Sequence, residues 1–277
     1  MRSIFRRSPR KSVLATLTLV MLLMGGGGLA TAQTPTARDT APKPTVVLVH
    51  GAWADAGGFD GVQTALHVAG YPVLEFANPL RSLSSDSAAL AAYLQQRIDG
   101  PVILVGHSYG GAVITDAALT DPDVKALVYI DAFVPDAGES LTDLLGRQGP
   151  IDATQLFDVV ANPGAPEGDV DLYLKDAVFP EAFANGLPRL TQARLLASQR
   201  PIAAAALAEP SGQPAWKSLP SWYVLGTNDH IVSPDLQRFM AERAGAKITT
   251  VGTGHLAMIA RPDVVTATIL RADSATR

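Results

Sequence analysis

Apolar residues come along this chain in two rhythms. Short, mostly apolar runs at 45–50, 71–76, 102–105, 124–130, 221–226 and 247–251 have strand length and are bounded by Gly, Pro, Asn or Asp. The run at 102–105 carries no polar residue at all, and the run at 45–50 is apolar between its ends, as expected of parallel strands covered on both faces. Between them the spacing is helical. Residues 59–69 place Phe59, Val62, Leu66 and Ala69 on one stripe before Gly70 stops the helix, and similar stretches occupy 86–98, 112–119, 234–244 and 262–271. Six strands alternating with helices predict an α/β fold, a six-stranded mainly parallel sheet with helices on both faces.

The rhythm breaks between about 134 and 218, where Pro and Gly punctuate short amphipathic pieces and no strong strand is visible. An insertion of this size after the fourth strand predicts a helical cap over the carboxyl ends of the strands. At the other end, residues 1–32 have the three parts of a signal peptide: Arg2, Arg6, Arg7, Arg10 and Lys11, then an apolar stretch too short to span a bilayer, then Ala30-Thr31-Ala32. The expected organisation is a cleaved leader over 1–32, a flexible Pro- and Thr-rich lead-in over 33–44, and one domain over 45–277 with its cap insertion. The mature protein is then exported, periplasmic or secreted, with no stable membrane anchor.

Composition narrows the chemistry. Loss of the leader removes five cations and no anions and moves the formal net charge from −4 to −9, a surface that does not attract nucleic acid or anionic lipid. The chain has no cysteine, so neither disulfides nor thiolate metal sites arise. With no metal-ligand spacing, phosphate loop or dinucleotide fingerprint, no cofactor or metal is expected.

In open parallel sheets the reactive loops gather at the carboxyl ends of the strands. The third strand runs into Gly106-His107-Ser108-Tyr109-Gly110-Gly111 and then a helix. A serine at such a strand–turn–helix apex is held in a strained conformation with its hydroxyl exposed to a reaction partner, and a Cβ at Gly106 or Gly110 would collide with the neighbouring elements. Ser108 is therefore the candidate nucleophile. It needs a base, and an imidazole titrates near the working pH. Of five histidines, His67 falls on an exposed helix face, His107 points away from the turn, His50 braces the loop after the first strand, and His230 is structural or lines a pocket. His255, beyond the last strand, is the candidate base. Two acids compete to orient it: Asp229 after the fifth strand and Asp131 after the fourth. Asp229 is favoured, and Asp131 stays open as the replacement. The backbone N–H groups of Ala52 and Tyr109 are the candidate oxyanion donors. Trp53, Phe133, Phe157, Phe179, Trp216 and Met258 are candidate walls of an apolar substrate pocket, each of them equally at home in a core.

Taken together, His50-Gly51-Ala52-Trp53, the nucleophile turn, Gly226-Thr227-Asn228-Asp229 and Gly254-His255-Leu256-Ala257-Met258 resemble the α/β-hydrolase superfamily, and within it the compact branch of plant methyl-ester esterases and hydroxynitrile lyases. The resemblance spans 45–271, with little to match in the cap. Lyases of that branch tend to carry Thr after the loop His and Lys after the catalytic His; here Gly51 and Leu256 stand there, as in the esterases. The resemblance implies a serine carboxylesterase acting on small apolar carboxylic esters through an acyl-enzyme. The alternatives are a cofactor-free perhydrolase or haloperoxidase-type activity, hydroxynitrile lyase chemistry on the same triad, and a non-catalytic ligand-binding protein on a hydrolase scaffold. Oligomeric state is not specified.

The leader generates a direct test. Protein recovered from its native host is expected to begin at or near Gln33 by intact-mass spectrometry; soluble cytoplasmic protein retaining Met1 would refute export.

Overall fold

In the computed structural model, which describes residues 42–277, the six apolar runs form a single sheet. The leader and most of the lead-in lie outside the described residues. The strands are β1 (Thr45–Val49), β2 (Val73–Phe76), β3 (Val102–His107), β4 (Val124–Ile130) and two later ones, β8 (Ser221–Gly226) and β9 (Lys247–Val251). Their order is β2-β1-β3-β4-β8-β9, every pairing is parallel, and β3 lies near the centre with all six residues buried. That burial explains why β3 carries no polar residue before His107: both of its faces meet helices.

Helices α1 (Asp60–Val68), α2 (Leu83–Arg97), α3 (Tyr109–Ala117), α8 (Pro234–Arg243), α9 (Ala257–Ala260) and α10 (Pro262–Thr276) alternate with these strands; α1 packs on α10 and α2 on α3. Among the boundaries that differ from the apolar periodicity, two have a visible cause. Helix α2 starts at Leu83 because the Ser82 hydroxyl accepts the Ser85 N–H at 3.2 Å, a cap hidden in a polar run. Helix α10 continues past 271 to Thr276, where Asp273 accepts the Tyr71 hydroxyl and pairs with Arg277.

Between β4 and β8 the chain forms the cap. It contains α4 (Leu141–Gly146), α5 (Ala153–Leu156), α6 (Arg189–Ala197) and α7 (Ala204–Ala208), as the sequence led one to expect, but also an antiparallel sheet of β5 (Phe157–Ala161), β6 (Val170–Leu174) and β7 (Ile202–Ala203). Pairing Phe157 with Leu174 and Val159 with Leu172 puts these four side chains on one face. Their alternation is only five residues long and β5 is largely exposed, so no buried run announced either strand.

The cap returns to the main sheet at Arg200. Its main-chain carbonyl accepts the Trp53 N–H at 3.0 Å, and its guanidinium donates to His50 Nε2 at 3.1 Å. His50 Nε2 also accepts the Asn78 N–H at 3.1 Å, while Nδ1 lies 3.0 Å from the Gly51 carbonyl. This arrangement requires a neutral imidazole carrying its proton on Nδ1, because a proton on Nε2 would displace two donors. His50 braces the loop after β1, as expected, and fastens the cap to it as well.

Burial pulls the His50 pKa from 6.5 down to about 4. Between those values the unfolded chain binds a proton that the folded chain refuses, so the His50 contribution is intact above about pH 6.5 and is lost as pH falls towards 4, about 3 kcal/mol in all. Burial pushes His107 in the same direction. In urea melts the stability that His50 adds should therefore shrink between about pH 7 and 4.5, so the gap between the unsubstituted protein and His50→Gln, the less stable of the two at neutral pH, should narrow by about 2 kcal/mol over that range.

Candidate active site

Packing at the end of β3 fixes the nucleophile turn. A Cβ on Gly106 would lie 2.6 Å from the Gly110 carbonyl oxygen and 2.8 Å from the Gly111 Cα, so α3 can approach the strand only over a glycine. Ser108 sits at φ 52°, ψ −124°, a conformation that costs an L-residue on the order of 1 kcal/mol or more. Three main-chain hydrogen bonds hold it there: its N–H donates to Ile130 O at 3.2 Å, and its carbonyl accepts Gly111 N at 2.9 Å and Phe133 N at 3.1 Å.

The loop after β9 brings His255 over this serine. His255 Nε2 is 2.9 Å from Ser108 Oγ, and His255 Nδ1 is 2.7 Å from Asp229 Oδ2. An ionised Asp229 accepts at Nδ1–H, which leaves the Nε2 lone pair facing the serine hydroxyl. Asp229 is held in turn by the N–H groups of Ile231 at 2.7 Å and Val232 at 3.0 Å and by Gln237 Nε2 at 2.8 Å. All three side chains of the relay are buried, Ser108 being 2 % exposed.

Asp131, the competing acid, has a different set of partners. Its Oδ1 accepts Gly226 N at 2.8 Å and its Oδ2 accepts Ala257 N at 3.0 Å, which ties the end of β8 to the start of α9 on either side of the relay. It makes no hydrogen bond to His255 among the described residues. Burial, and after it the charge of Asp229, push the Asp131 carboxyl well above the ordinary carboxylate range. His107 does point away from the serine: its Nε2 meets the His255 carbonyl at 2.9 Å, and burial keeps the ring neutral, 4.9 Å from the His255 ring between centroids. His67 is exposed, and His230 Nδ1 lies 3.0 Å from the Glu181 carbonyl.

The loop after β1 lies against the serine, since a Cβ at Gly51 would come within 2.6 Å of Ser108 Cβ and 3.1 Å of Tyr109 N. The Ala52 N–H has no acceptor among the described residues. Tyr109 N–H opens α3, where the first N–H groups of a helix have no intrahelical partner. The Tyr109 hydroxyl points the other way, donating to Asp86 at 2.8 Å, so only its main chain faces the site.

The pocket candidates separate into two groups. Trp53 and Phe157 line a cleft of about 570 Å³ between the cap and the loops after β1 and β8, together with Leu145, Leu172, Val178 and His230. Met258 and Trp53 line a void of about 10 Å³ beside Phe183 and Leu256. Phe133, Phe179 and Trp216 line neither. Phe133 and Phe179 are buried in the core, and Trp216 donates to the Pro135 carbonyl at 2.9 Å with the Arg243 guanidinium 5.9 Å from its ring. Apolar character alone does not say which space a side chain encloses: Phe133 and Phe179 are buried and Trp216 half-buried, away from both spaces. Gln237 and Arg200 escaped sequence reasoning altogether, since each acts on a partner that neighbours it only in the fold.

Comparison with known proteins agrees with this architecture. The Alpha/beta hydrolase family matches residues 46–268. The chain is 38 % identical over 124 residues to the carbendazim hydrolyzing esterase of Nocardioides sp. (strain SG-4G), covering 40 % of this chain and about half, 51 %, of that protein's length. Methylesterase 8 of Arabidopsis thaliana is 26 % identical over 255 residues, 80 % of this chain and 87 % of the relative. The crystal structure of polyneuridine aldehyde esterase superimposes with a TM-score of 0.70 at 22 % identity, over 83 % of this chain and 98 % of the other, a likeness of fold. With the parallel sheet, the turn at Ser108 and a family match across nearly the whole described domain, the chain belongs to the alpha/beta hydrolase family.

Proposed function

We propose that this hydrolase is a serine carboxylesterase that cleaves apolar esters through an acyl-enzyme. The observation that carries the proposal is the continuous relay Ser108 Oγ, His255, Asp229, at 2.9 and 2.7 Å. Ser108 Oγ attacks the ester carbonyl as its proton passes to His255 Nε2, and Asp229 stabilises the resulting imidazolium. The N–H groups of Ala52 and Tyr109 receive the oxyanion, a contribution of about 3 kcal/mol for each well-placed donor. Collapse of the tetrahedral adduct breaks the C–O bond, and the alcohol leaves with the proton from His255. Water, deprotonated by the same imidazole, then attacks the acyl carbon and releases the acid and free Ser108.

Two observations support ester hydrolysis over cyanohydrin cleavage. Leu256, where a lyase of this branch tends to carry lysine, is buried beside Trp53 and Met258, so no cation stands next to His255 to stabilise a leaving cyanide. The relatives named esterase and methylesterase point the same way. With the leader read from the sequence, the enzyme works outside the cytoplasm.

The acid is the sharpest test. Asp229→Asn keeps the shape but favours the wrong His255 tautomer, and kcat should fall by about 10⁴-fold. Asp131→Asn disturbs one main-chain hydrogen bond beside the relay and should cost about 10-fold, or 1.4 kcal/mol. Both effects are to be read on p-nitrophenyl esters, with circular dichroism and thermal melts showing that each variant is folded; the reverse order would move the acid to Asp131.

A further inference from the structure

Ser108 is 2 % exposed and lines neither the cap cleft nor the small void, so an ester held in either space reaches it only if a side chain moves. The cleft itself is too large to be a packing defect in an interior that is otherwise close-packed, and its size is that of a small-molecule site. No Asp, Glu, Lys or Arg lines it. What it would hold is an uncharged apolar chain.

One residue joins these spaces: Trp53 lines both the cleft and the void, and no other residue does. On the cleft side its indole stacks on Phe157 with centroids 5.6 Å apart. On the other side it meets Phe183 edge-on at 5.9 Å, and Phe183 lies 5.4 Å from the His255 ring. The contacts from cleft to imidazole thus run through Phe157, Trp53, Phe183 and His255 in turn. Trp53 follows Ala52 directly, so the residue whose N–H faces the oxyanion and the residue that bounds the cleft share one peptide unit. Its backbone sits at φ 56°, unusual for a bulky side chain. Both of its N–H donors are held by the cap: the main-chain N–H donates to Arg200 O at 3.0 Å and Nε1 donates to Leu172 O at 2.9 Å.

We propose that Trp53 is the specificity-determining partition of this active site, its indole closing the route between Ser108 and the cap cleft, and that the cleft takes the long or bulky apolar chain of an ester once the indole swings aside. A short ester needs only local loosening around Phe183 and the void. A long one needs the cleft, and therefore the displacement of Trp53. The proposal rests on Ser108 being the nucleophile, and it extends the expected substrate from small esters to those with an extended hydrocarbon chain.

The test compares the rates at which ethyl and dodecyl fluorophosphonates label the intact protein, followed by mass spectrometry. Trp53→Ala should raise the dodecyl-to-ethyl rate ratio by about 10-fold over the unsubstituted protein. Trp53→Phe, which keeps the aromatic packing but loses the hydrogen bond to Leu172, should give a smaller rise. Phe157→Ala, which removes the stacking partner without touching the oxyanion loop, should raise the ratio as well and serves if the Trp53 variants do not fold. Labelling by both probes with ratios unchanged across the folded variants would overturn the partition alone. Failure of both probes to label the unsubstituted protein would overturn the nucleophile reading, and the partition with it.

Discussion

Ser108 is held in a backbone conformation that its own chain disfavours, and much of the carboxyl end of the sheet is arranged to keep it there. The strand before it must be buried so that the turn has a rigid base, Gly106 must lack a side chain so that α3 can close on that strand, and Gly51 must lack one so that the neighbouring loop can reach the turn. A hydrogen bond to the Ile130 carbonyl and two from the Gly111 and Phe133 N–H groups anchor the serine main chain on both sides. Strain of this kind persists only where the surroundings over-determine it. Here they also set the direction of the hydroxyl.

Around that fixed point two carboxylates divide the work. Asp229 faces the imidazole, and its remaining capacity is filled by Ile231, Val232 and Gln237, which orient it. Asp131 faces main-chain N–H groups and holds together the two segments from which Asp229 and His255 project. Its raised pKa follows from being wholly buried near another acid. One aspartate thus contacts the His255 imidazole and the other the framework, a distinction made by hydrogen-bond partners rather than by residue type.

That distinction marks the limit of what could be read along the chain. The sheet was legible because buried parallel strands need unbroken apolar runs, and Ser108 because its turn needs glycines at fixed offsets. His255 was legible from its place after the last strand. Asp131 and Asp229 both end strands of the same sheet, so spacing could rank them without showing which one touches His255. The cap was legible as an insertion but not as a sheet. Strands β5 and β6 are short, partly exposed and paired with each other, so their stability comes from register and neighbours rather than from a run of buried residues. Phe133, Phe179 and Trp216 show a related limit, since hydrophobicity tells that a side chain is inside and not which cavity it borders.

The return of the cap at Arg200 has a consequence for how the fold can diverge. Beyond Phe133, which is still tied to the Ser108 carbonyl, few main-chain hydrogen bonds of the segment leading to that residue reach the parallel sheet, and its length can vary most there. Arg200 cannot drift so freely, since one residue supplies both the carbonyl that holds Trp53 and the guanidinium that holds His50. A cap transplanted from a relative would graft successfully only if its seam preserved both bonds. Exchange of the cap is therefore constrained at this seam, because the residue that anchors it there is fastened to the loop that lies against Ser108.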